Sequence, residues 1–497
     1  MAVIIFTRIW TAFIGIILVP LYVKMIGVES YGLIAFYSTL AGTLAILDVG
    51  LSASISRQTA ILQTQPNKQK ELNDLLFSVE VLNWVIAVAV GIIIMVLSYP
   101  IAMYWIKAKD LSISSIQHAV ILMGIVFAFQ FPSSVYTGVM VGLQKQIANA
   151  VINFIFSTLK AIGVLIVLKL ISPTIEYYFL WQVVITLLLT LAMRIYVRKK
   201  ISIKNVRPAF SLVQLKTIWR FAAGMAGISL VSFFIVQIDK IVVSKMLLLE
   251  YVGYYNLAFL VAGTINTIVS PMQSIVYPKL TSLVATNNTK ELTLLYHKSC
   301  RWISVIVFPI GFVLILFAKE ILFFWTGNTT LTNETAPILQ VCTIGTLCNC
   351  MMWVPYFYTL AKGNTKFGLY QNIIASVILV PLLFWWTGKY GALGASFVWL
   401  TVNAGIILVS LPIFHHLYFK NGMWHWFKKD VVMPLLAAGL LAFGAKYFQK
   451  IFLPDMTITY FAIVLFFISI IYIMVIPETK ASLNKLIFQL TRQIKSA

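Results

Sequence analysis

The sequence predicts an all-α integral membrane protein of about fourteen transmembrane helices: two six-helix lobes followed by a C-terminal helix pair. Three observations predict it. Of 497 residues, 60% are hydrophobic and only 10% are charged, whereas soluble domains carry about 25% charged residues. At roughly 20 apolar residues per span, this content suits about fourteen crossings. The apolar runs are separated by short polar turns, and rare residues repeat at a fixed offset along the chain.

In the first half the apolar periodicity places spans at 2–24, 31–56, 75–99, 113–141, 149–169 and 175–196. In the second half it places them at 218–244, 252–278, 302–320, 336–361, 368–387 and 391–414, with a final pair at 431–449 and 457–477. The run from Ala2 is read as the first span, since no cleavage-site pattern follows it. The longest polar stretches are 197–217 and 279–301. Trp105, Trp219, Trp302, Trp325, Trp385, Trp424 and Trp426 lie near span ends, as in an aromatic belt. Pro20, Pro132, Pro271, Pro309, Pro355, Pro381 and Pro434 fall within spans and predict bends. Gly138-x-x-x-Gly142 predicts a close helix approach.

The net charge of +22 is a topology signal. With the N-terminus inside, 25 of the 37 Lys and Arg residues fall on the inner side and 9 on the outer. The positive-inside rule then puts both termini in the cytoplasm. The charge implies no nucleic-acid partner. Cys300, Cys342, Cys348 and Cys350 show no zinc-type spacing, so they read as reduced core thiols, and neither metal nor cofactor is expected.

Lys24-Met25-x-x-x-Glu29-x-x-Gly32 reappears as Lys245-Met246-x-x-x-Glu250-x-x-Gly253, shifted by 221. The same shift carries Gly42-Thr43 onto Gly263-Thr264 and Gly142-x-x-Lys145 onto Gly363-x-x-Lys366. Each repeat holds an even number of spans, so both enter the membrane with one orientation, as parallel repeats do. The domains read as an N-lobe (1–197), a basic cytoplasmic linker (198–217), a C-lobe (218–417), and helices 13–14 with a tail (418–497).

The opening pattern Val19-Pro20-Leu21-Tyr22-Val23-Lys24-Met25-Ile26-Gly27-Val28-Glu29-Ser30-Tyr31-Gly32-Leu33 resembles the polysaccharide (O-antigen or repeat-unit, Wzx-like) flippase branch of the MOP superfamily. So do Asp48-Val49-Gly50-Leu51 with Arg57, Ile238-Asp239-Lys240, Val252-Gly253-Tyr254-Tyr255-Asn256-Leu257-Ala258 and Tyr390-Gly391-Ala392-Leu393-Gly394-Ala395. The resemblance covers essentially the whole chain. It implies a V-shaped transporter of the bacterial inner membrane, with a site between lobes near the midplane. Its substrate would be an undecaprenyl-pyrophosphate-linked oligosaccharide, moved outward for surface polysaccharide synthesis. Coupling to H+ or Na+, and work beside a polysaccharide polymerase and chain-length machinery, are further implications of the resemblance. A drug or small-molecule antiporter of the same superfamily is the alternative, with a membrane-embedded polymerase or ligase behind it. The outer loops hold too few charged residues for glycosyl transfer, so no enzyme is expected.

Charges inside a bilayer are expensive and mark sites by default. Six fall inside the spans: Arg8, Asp48, Glu80, Lys160, Asp239 and Lys240. Arg8 and Asp48 lie at similar distances, ~30 Å, either side of a turn near residue 27, and are expected to pair near the inner mouth of the first lobe. There Arg8 could meet a pyrophosphate. Lys160 lies near the centre of span five with Asn153 two turns away on one face, and is expected to line a cavity. Asp239 is the ion-coupling candidate, with Asn256 and Asn266 as candidate neighbours. Glu80 and the histidines His415, His416 and His425 read as interfacial. Gln130, Gln182, Gln237 and Asn403 are expected among the groups that meet sugar.

Overall fold

The computed structural model describes residues 2–452 apart from 64, 66–67, 202–207, 217, 220–236 and 420–421. A few helical positions, among them Arg8 and Asp48, are described by backbone alone. The regular structure among the described residues is helical, apart from one isolated β-bridge that joins Lys107 to Leu248. In lipid every backbone polar group must be satisfied internally, which a helix does within its own segment.

The helices run α1 (Ala2–Ile17), α2 (Val19–Leu44), α3 (Ile46–Gln63), α4 (Gln69–Val96), α5 (Ile113–Gly142), α6 (Gln146–Leu170), α7 (Ile175–Ile201), α8 (Leu249–Ala285), α9 (Thr289–Leu316), α10 (Ala318–Thr326), α11 (Thr329–Met351), α12 (Trp353–Ala361), α13 (Thr365–Gly405), α14 (Leu411–Phe419) and α15 (Met433–Phe452). Several of these join end to end across bends. Ten segments among the described residues are long and apolar enough to cross a membrane. One of them, Lys366–Phe419, covers both predicted spans 368–387 and 391–414. The first apolar helix, α1, has 16 residues. Spans seven and fourteen lie mainly or wholly outside the described residues. Val96, Leu170, Leu408 and Leu440 each expose more than 70% of their surface. So large an apolar exterior belongs in lipid, and the protein is a multi-pass membrane protein.

Glycines set the turns and the closest approaches. Gly27 has φ +81°, which breaks α2 where the sequence predicts the first outer turn. Gly391 has φ +62° and divides α13 between the two spans predicted there. A Cβ on Gly138 would come 2.5 Å from the Ser52 carbonyl oxygen, and one on Gly142 2.5 Å from that of Ser56. The Gly-x-x-x-Gly motif thus lets α5 lie directly on the α3 backbone. Gly363, aligned with Gly142 by the repeat, instead takes φ +75° after α12. The two turns are alike, but the two glycines do different work. Asn288, Asn328 and Asn364 cap α9, α11 and α13 by accepting from backbone N–H groups three residues on, each contributing about 1 kcal/mol.

The chain forms two compact units that divide between Asn256 and Leu257. In the first, one cluster packs Leu33, Phe36, Val120, Met123 and Phe179, and a second packs Leu75, Val79, Val135, Tyr136 and Val197. Residues 237–256 belong to this unit, later than the 198–217 linker, because they are stitched to the segment after α4. Leu249 N–H donates to the Lys107 carbonyl at 2.8 Å, and Lys245 Nζ to the Tyr104 carbonyl at 2.6 Å. Here the two copies of the repeated motif meet. A Cβ on Gly32 would stand 2.2 Å from the Leu249 carbonyl oxygen, and one on Gly253 3.3 Å from that of Val28. Gly32→Ala is therefore expected to destabilise the first unit by about 1–3 kcal/mol. The check is thermal unfolding in detergent, with Gly15→Ala, where a Cβ meets nothing within 4 Å, as the control.

In the second unit α9 packs on α11 and α15. Helix α15 is fixed to this unit by Lys446, which pairs with Glu320 and lies 4.5 Å over the Phe317 ring. The four cysteines are free thiols, three buried and Cys348 half-buried.

Candidate translocation site

Lys160 lies on α6, which packs against α1 and α7. Trp10 Nε1 donates to Thr158 Oγ1 at 2.9 Å, the Tyr22 hydroxyl donates to the Ala161 carbonyl at 3.1 Å, and Trp181 Nε1 donates to the Lys160 carbonyl at 3.2 Å. These bonds fix the helix rotation. The Lys160 side chain is half-buried, and its ammonium has no hydrogen-bond or ion-pair partner among the described residues. Asn153 shares its helix about 10 Å away along the axis. It is exposed and donates to Asn149, at 2.9 Å to the carbonyl and 3.0 Å to Oδ1, so it is not brought onto Lys160. The Arg8 and Asp48 side chains, and hence their expected pairing, lie outside the described residues.

Asp239 is buried, at 7% exposure. Its Oδ2 accepts from the Tyr255 hydroxyl at 2.7 Å, and Oδ1 has no partner among the described residues. Lys240, the next residue, turns to a different partner and donates to Gln237 Oε1 at 3.2 Å. The neighbour of Asp239 is thus Tyr255, whereas Asn266 accepts from Cys350 Sγ. Of the polar groups expected to meet sugar, Gln130 is exposed and accepts from the Tyr37 hydroxyl at 2.9 Å. Gln182 is buried, its Oε1 without a partner among the described residues, and Asn403 is buried, accepting from Asn349 at 2.9 Å.

Three residues depart from their interfacial reading. Glu80 is 3% exposed and is held from three sides. It accepts from the Tyr136 hydroxyl at 2.8 Å, pairs with Arg194 Nε at 2.5 Å and pairs with Arg198. Arg198 also donates to Asn73 Oδ1 at 3.3 Å. Because α7 runs to Ile201, the first residues of the expected linker are helical, and Arg198 is a latch rather than a surface anchor. His415 is 1% exposed. Its Nδ1 lies 2.9 Å from the Leu411 carbonyl, so Nδ1 carries the proton and Nε2 accepts from the Tyr296 hydroxyl at 3.2 Å. Trp426 is 2% exposed and so is a core residue.

A second latch stands in the second unit. Asp430, fully buried, pairs with His297 and takes Arg301 Nε at 3.2 Å and Nη2 at 3.1 Å. Glu80 and Arg301 are 221 residues apart. The repeat thus keeps a paired charge at one position, buried as Glu80 and half-buried as Arg301, reverses its sign and changes its partners. A third missed group is Glu29 in the opening motif, which accepts from the backbone N–H groups of Lys109, Asp110 and Leu111 and so clamps the loop before α5. The sequence signal for the first latch is the spacing: Asn73 and Glu80 are two turns apart on α4, and Arg194 and Arg198 one turn apart on α7.

Comparison with known proteins fits this architecture. One solved structure, "Lipid II flippase MurJ, inward closed conformation", superposes with a TM-score of 0.68 at 17% identity, covering 94% of this chain and 96% of the other. An inward-facing multidrug resistance MATE family transporter of the MOP superfamily superposes at 0.63 with 14% identity, covering 86% of this chain and 96% of the other. These likenesses give the fold: the all-helical architecture of those two proteins. In sequence, the chain is 24% identical over 390 residues to the "Putative O-antigen transporter" of Shigella flexneri, 75% of this chain and 87% of that protein. It is 23% identical over 371 residues to an "Uncharacterized membrane protein in cps region" of Klebsiella pneumoniae, 73% of this chain and 72% of that protein. The sequence model described as "Polysaccharide biosynthesis protein" matches residues 1–284, more than half of the chain, which therefore belongs to that family.

Proposed function

We propose that the protein is a flippase for lipid-linked glycans. It carries an undecaprenyl-pyrophosphate-linked oligosaccharide from the cytoplasmic to the outer face of the bacterial inner membrane, for surface polysaccharide synthesis. The observation that carries this reading is membership of a polysaccharide biosynthesis family on a MOP-type fold. No step in it makes or breaks a covalent bond.

The head group travels through a polar path while the lipid tail stays in the bilayer, and alternating access exposes the path to one side at a time. Lys160 is the residue proposed to meet the anionic head group. An ammonium midway along a membrane helix, without a partner among the described residues, favours an anionic substrate over the cations a drug antiporter takes. Arg8 and Asp48, as a pair near the inner mouth, and Asn153 remain proposed contacts. The two termini are proposed to lie in the cytoplasm, and a polymerase and chain-length machinery to take the product. Asp239 is proposed as the coupling group for a proton or sodium ion, its buried Oδ1 being without a partner among the described residues.

Asp239→Asn keeps the shape and the Tyr255 hydrogen bond but removes the charge. It is expected to leave folded protein at wild-type levels and to abolish the dependence of transport on an imposed ion gradient, read in proteoliposomes. Unchanged gradient dependence would sink the coupling role. The function itself is tested by gene disruption followed by analysis of lipid-linked intermediates. Accumulation of undecaprenyl-linked units on the cytoplasmic face is expected, and normal surface polysaccharide without accumulation would refute the reading.

A further inference from the structure

A cleft of about 590 Å³ opens between α4 and α7, at the end of the first unit that carries the basic linker. It is lined by Asn73, Phe77, Arg194, Arg198, Lys199 and Pro208, with Leu191 and Ile195 on its apolar flank. It is separate from Lys160 and Asp239 in sequence and in its lining, and the proposed transport cycle makes no use of it.

Its floor is built. Arg198 is held by Glu80 and by Asn73 Oδ1, and its guanidinium stands 5.6 Å over the Phe77 ring. Arg194 pairs with Glu80 through Nε, and its side chain is 47% exposed. Its guanidinium has no second carboxylate partner among the described residues. The far wall is Pro208 and the residues after it, pinned to α4 where Ala209 N–H donates to Asp74 Oδ1 and Ser211 N–H to Ser78 Oγ, both at 2.8 Å.

The charges do not balance. Arg194, Arg198 and Lys199 face two carboxylates, Glu80 in the floor and Asp74 in the wall, which leaves an excess of one positive charge among the described residues. Arginine presents parallel N–H donors that match phosphate oxygens. The apolar flank gives the chemical class of the carrier: Ile195 is 65% exposed on the outside of the bundle, directly beside the arginine pair. A ligand that fills the cleft would meet cations at one end and lipid-facing side chains at the other. The positive-inside count puts this end of the bundle at the cytoplasmic leaflet, where anionic head groups lie at the same depth.

We propose that the cleft between α4 and α7 is a binding site for the phosphate head group of an anionic membrane lipid, with Arg194 and Lys199 as its principal contacts and Glu80 holding the arginines in place. The site does not rest on the flippase reading. It would bind lipid whether or not a glycan is carried.

The full-length protein in nanodiscs of phosphatidylcholine with increasing phosphatidylglycerol, followed by native mass spectrometry of the released complex, tests this. Wild type is expected to retain phosphatidylglycerol over phosphatidylcholine. Arg194→Gln and Lys199→Gln, made separately, are each expected to lower that preference about tenfold at unchanged unfolding temperature in phosphatidylcholine. Lys199 has no part in the Glu80 cluster, so its variant stays informative if Arg194→Gln loses stability. Retention unchanged in Lys199→Gln and in the Arg194→Gln, Lys199→Gln double variant would overturn the site. A second arm adds inorganic phosphate in place of the anionic lipid. Equal protection of wild type against heat by phosphate alone would overturn the lipid source.

Discussion

Glu80→Ala is expected to cost about 3 kcal/mol of stability. The substitution strands Arg198, whose side chain is 22% exposed and whose alternative partner is a single amide oxygen. It also leaves the buried Tyr136 hydroxyl without its acceptor. Arg194 is nearly half-exposed and can turn to water, which keeps the loss at the lower end of what breaking a buried ion pair costs. The converse separates a charge effect from a packing effect. Glu80→Leu, Arg194→Leu and Arg198→Leu together remove all three charges, and their combination is expected to recover most of the lost stability. Unfolding in detergent, followed by tryptophan fluorescence, measures both. A Glu80→Ala protein as stable as wild type would show that the latch holds nothing together. The same triple variant should fold yet fail to retain anionic lipid, because the cleft then keeps only Lys199.

Lys160→Ala is expected to leave the fold intact and to lower transport roughly 10–100-fold, the range that follows from losing one charge-assisted contact of about 1.5–3 kcal/mol. Stability should not fall, because Lys160 gives its carbonyl, not its side chain, to the packing between α6 and α7. Lys160→Arg keeps the charge and should keep part of the activity. The measurement is restoration of surface polysaccharide in a disrupted strain, normalised to folded protein in the membrane. Full restoration by Lys160→Ala would remove Lys160 from the transport path.

How much of this was legible in the sequence depended on how local the cause was. The turn at Gly27, the division at Gly391 and the close packing at Gly138 and Gly142 each rest on a residue and its near neighbours, and each was readable. Helix starts were less so. Hydropathy placed spans three and nine at residues 75 and 302, but α4 begins at Gln69 and α9 at Thr289. Polar turns at these helix starts continue the hydrogen-bond ladder while burying only one face, as Leu292, Tyr296 and Cys300 do on α9. Hydropathy averages that face away.

The latches were the least legible part. Glu80 and Arg198 lie 118 residues apart, and His297 and Asp430 lie 133 apart. A charge count sees only that Arg198 sits in a basic run and that Glu80 sits near a span end. The repeat hides the correspondence too, since the sign at positions 80 and 301 is reversed. Lys160 was found for the opposite reason: a charge well inside an apolar run needs no partner to be conspicuous. Asn153, by contrast, gives its amide to Asn149 one turn before it, a local bond that its position on the face of Lys160 does not announce.

The central claim, that this protein moves a lipid-linked glycan across a bilayer, is tested most directly with purified protein in proteoliposomes. Lipid-pyrophosphate-linked oligosaccharide is placed in both leaflets, and a membrane-impermeant glycosidase reports the outer fraction. In the absence of protein about half of the glycan should stay protected. With the wild-type protein the protected half is expected to become cleavable over time, and with Lys160→Ala to remain protected. Protection unchanged by the wild-type protein, in vesicles shown to be sealed and under an imposed ion gradient of either sign, would contradict the account.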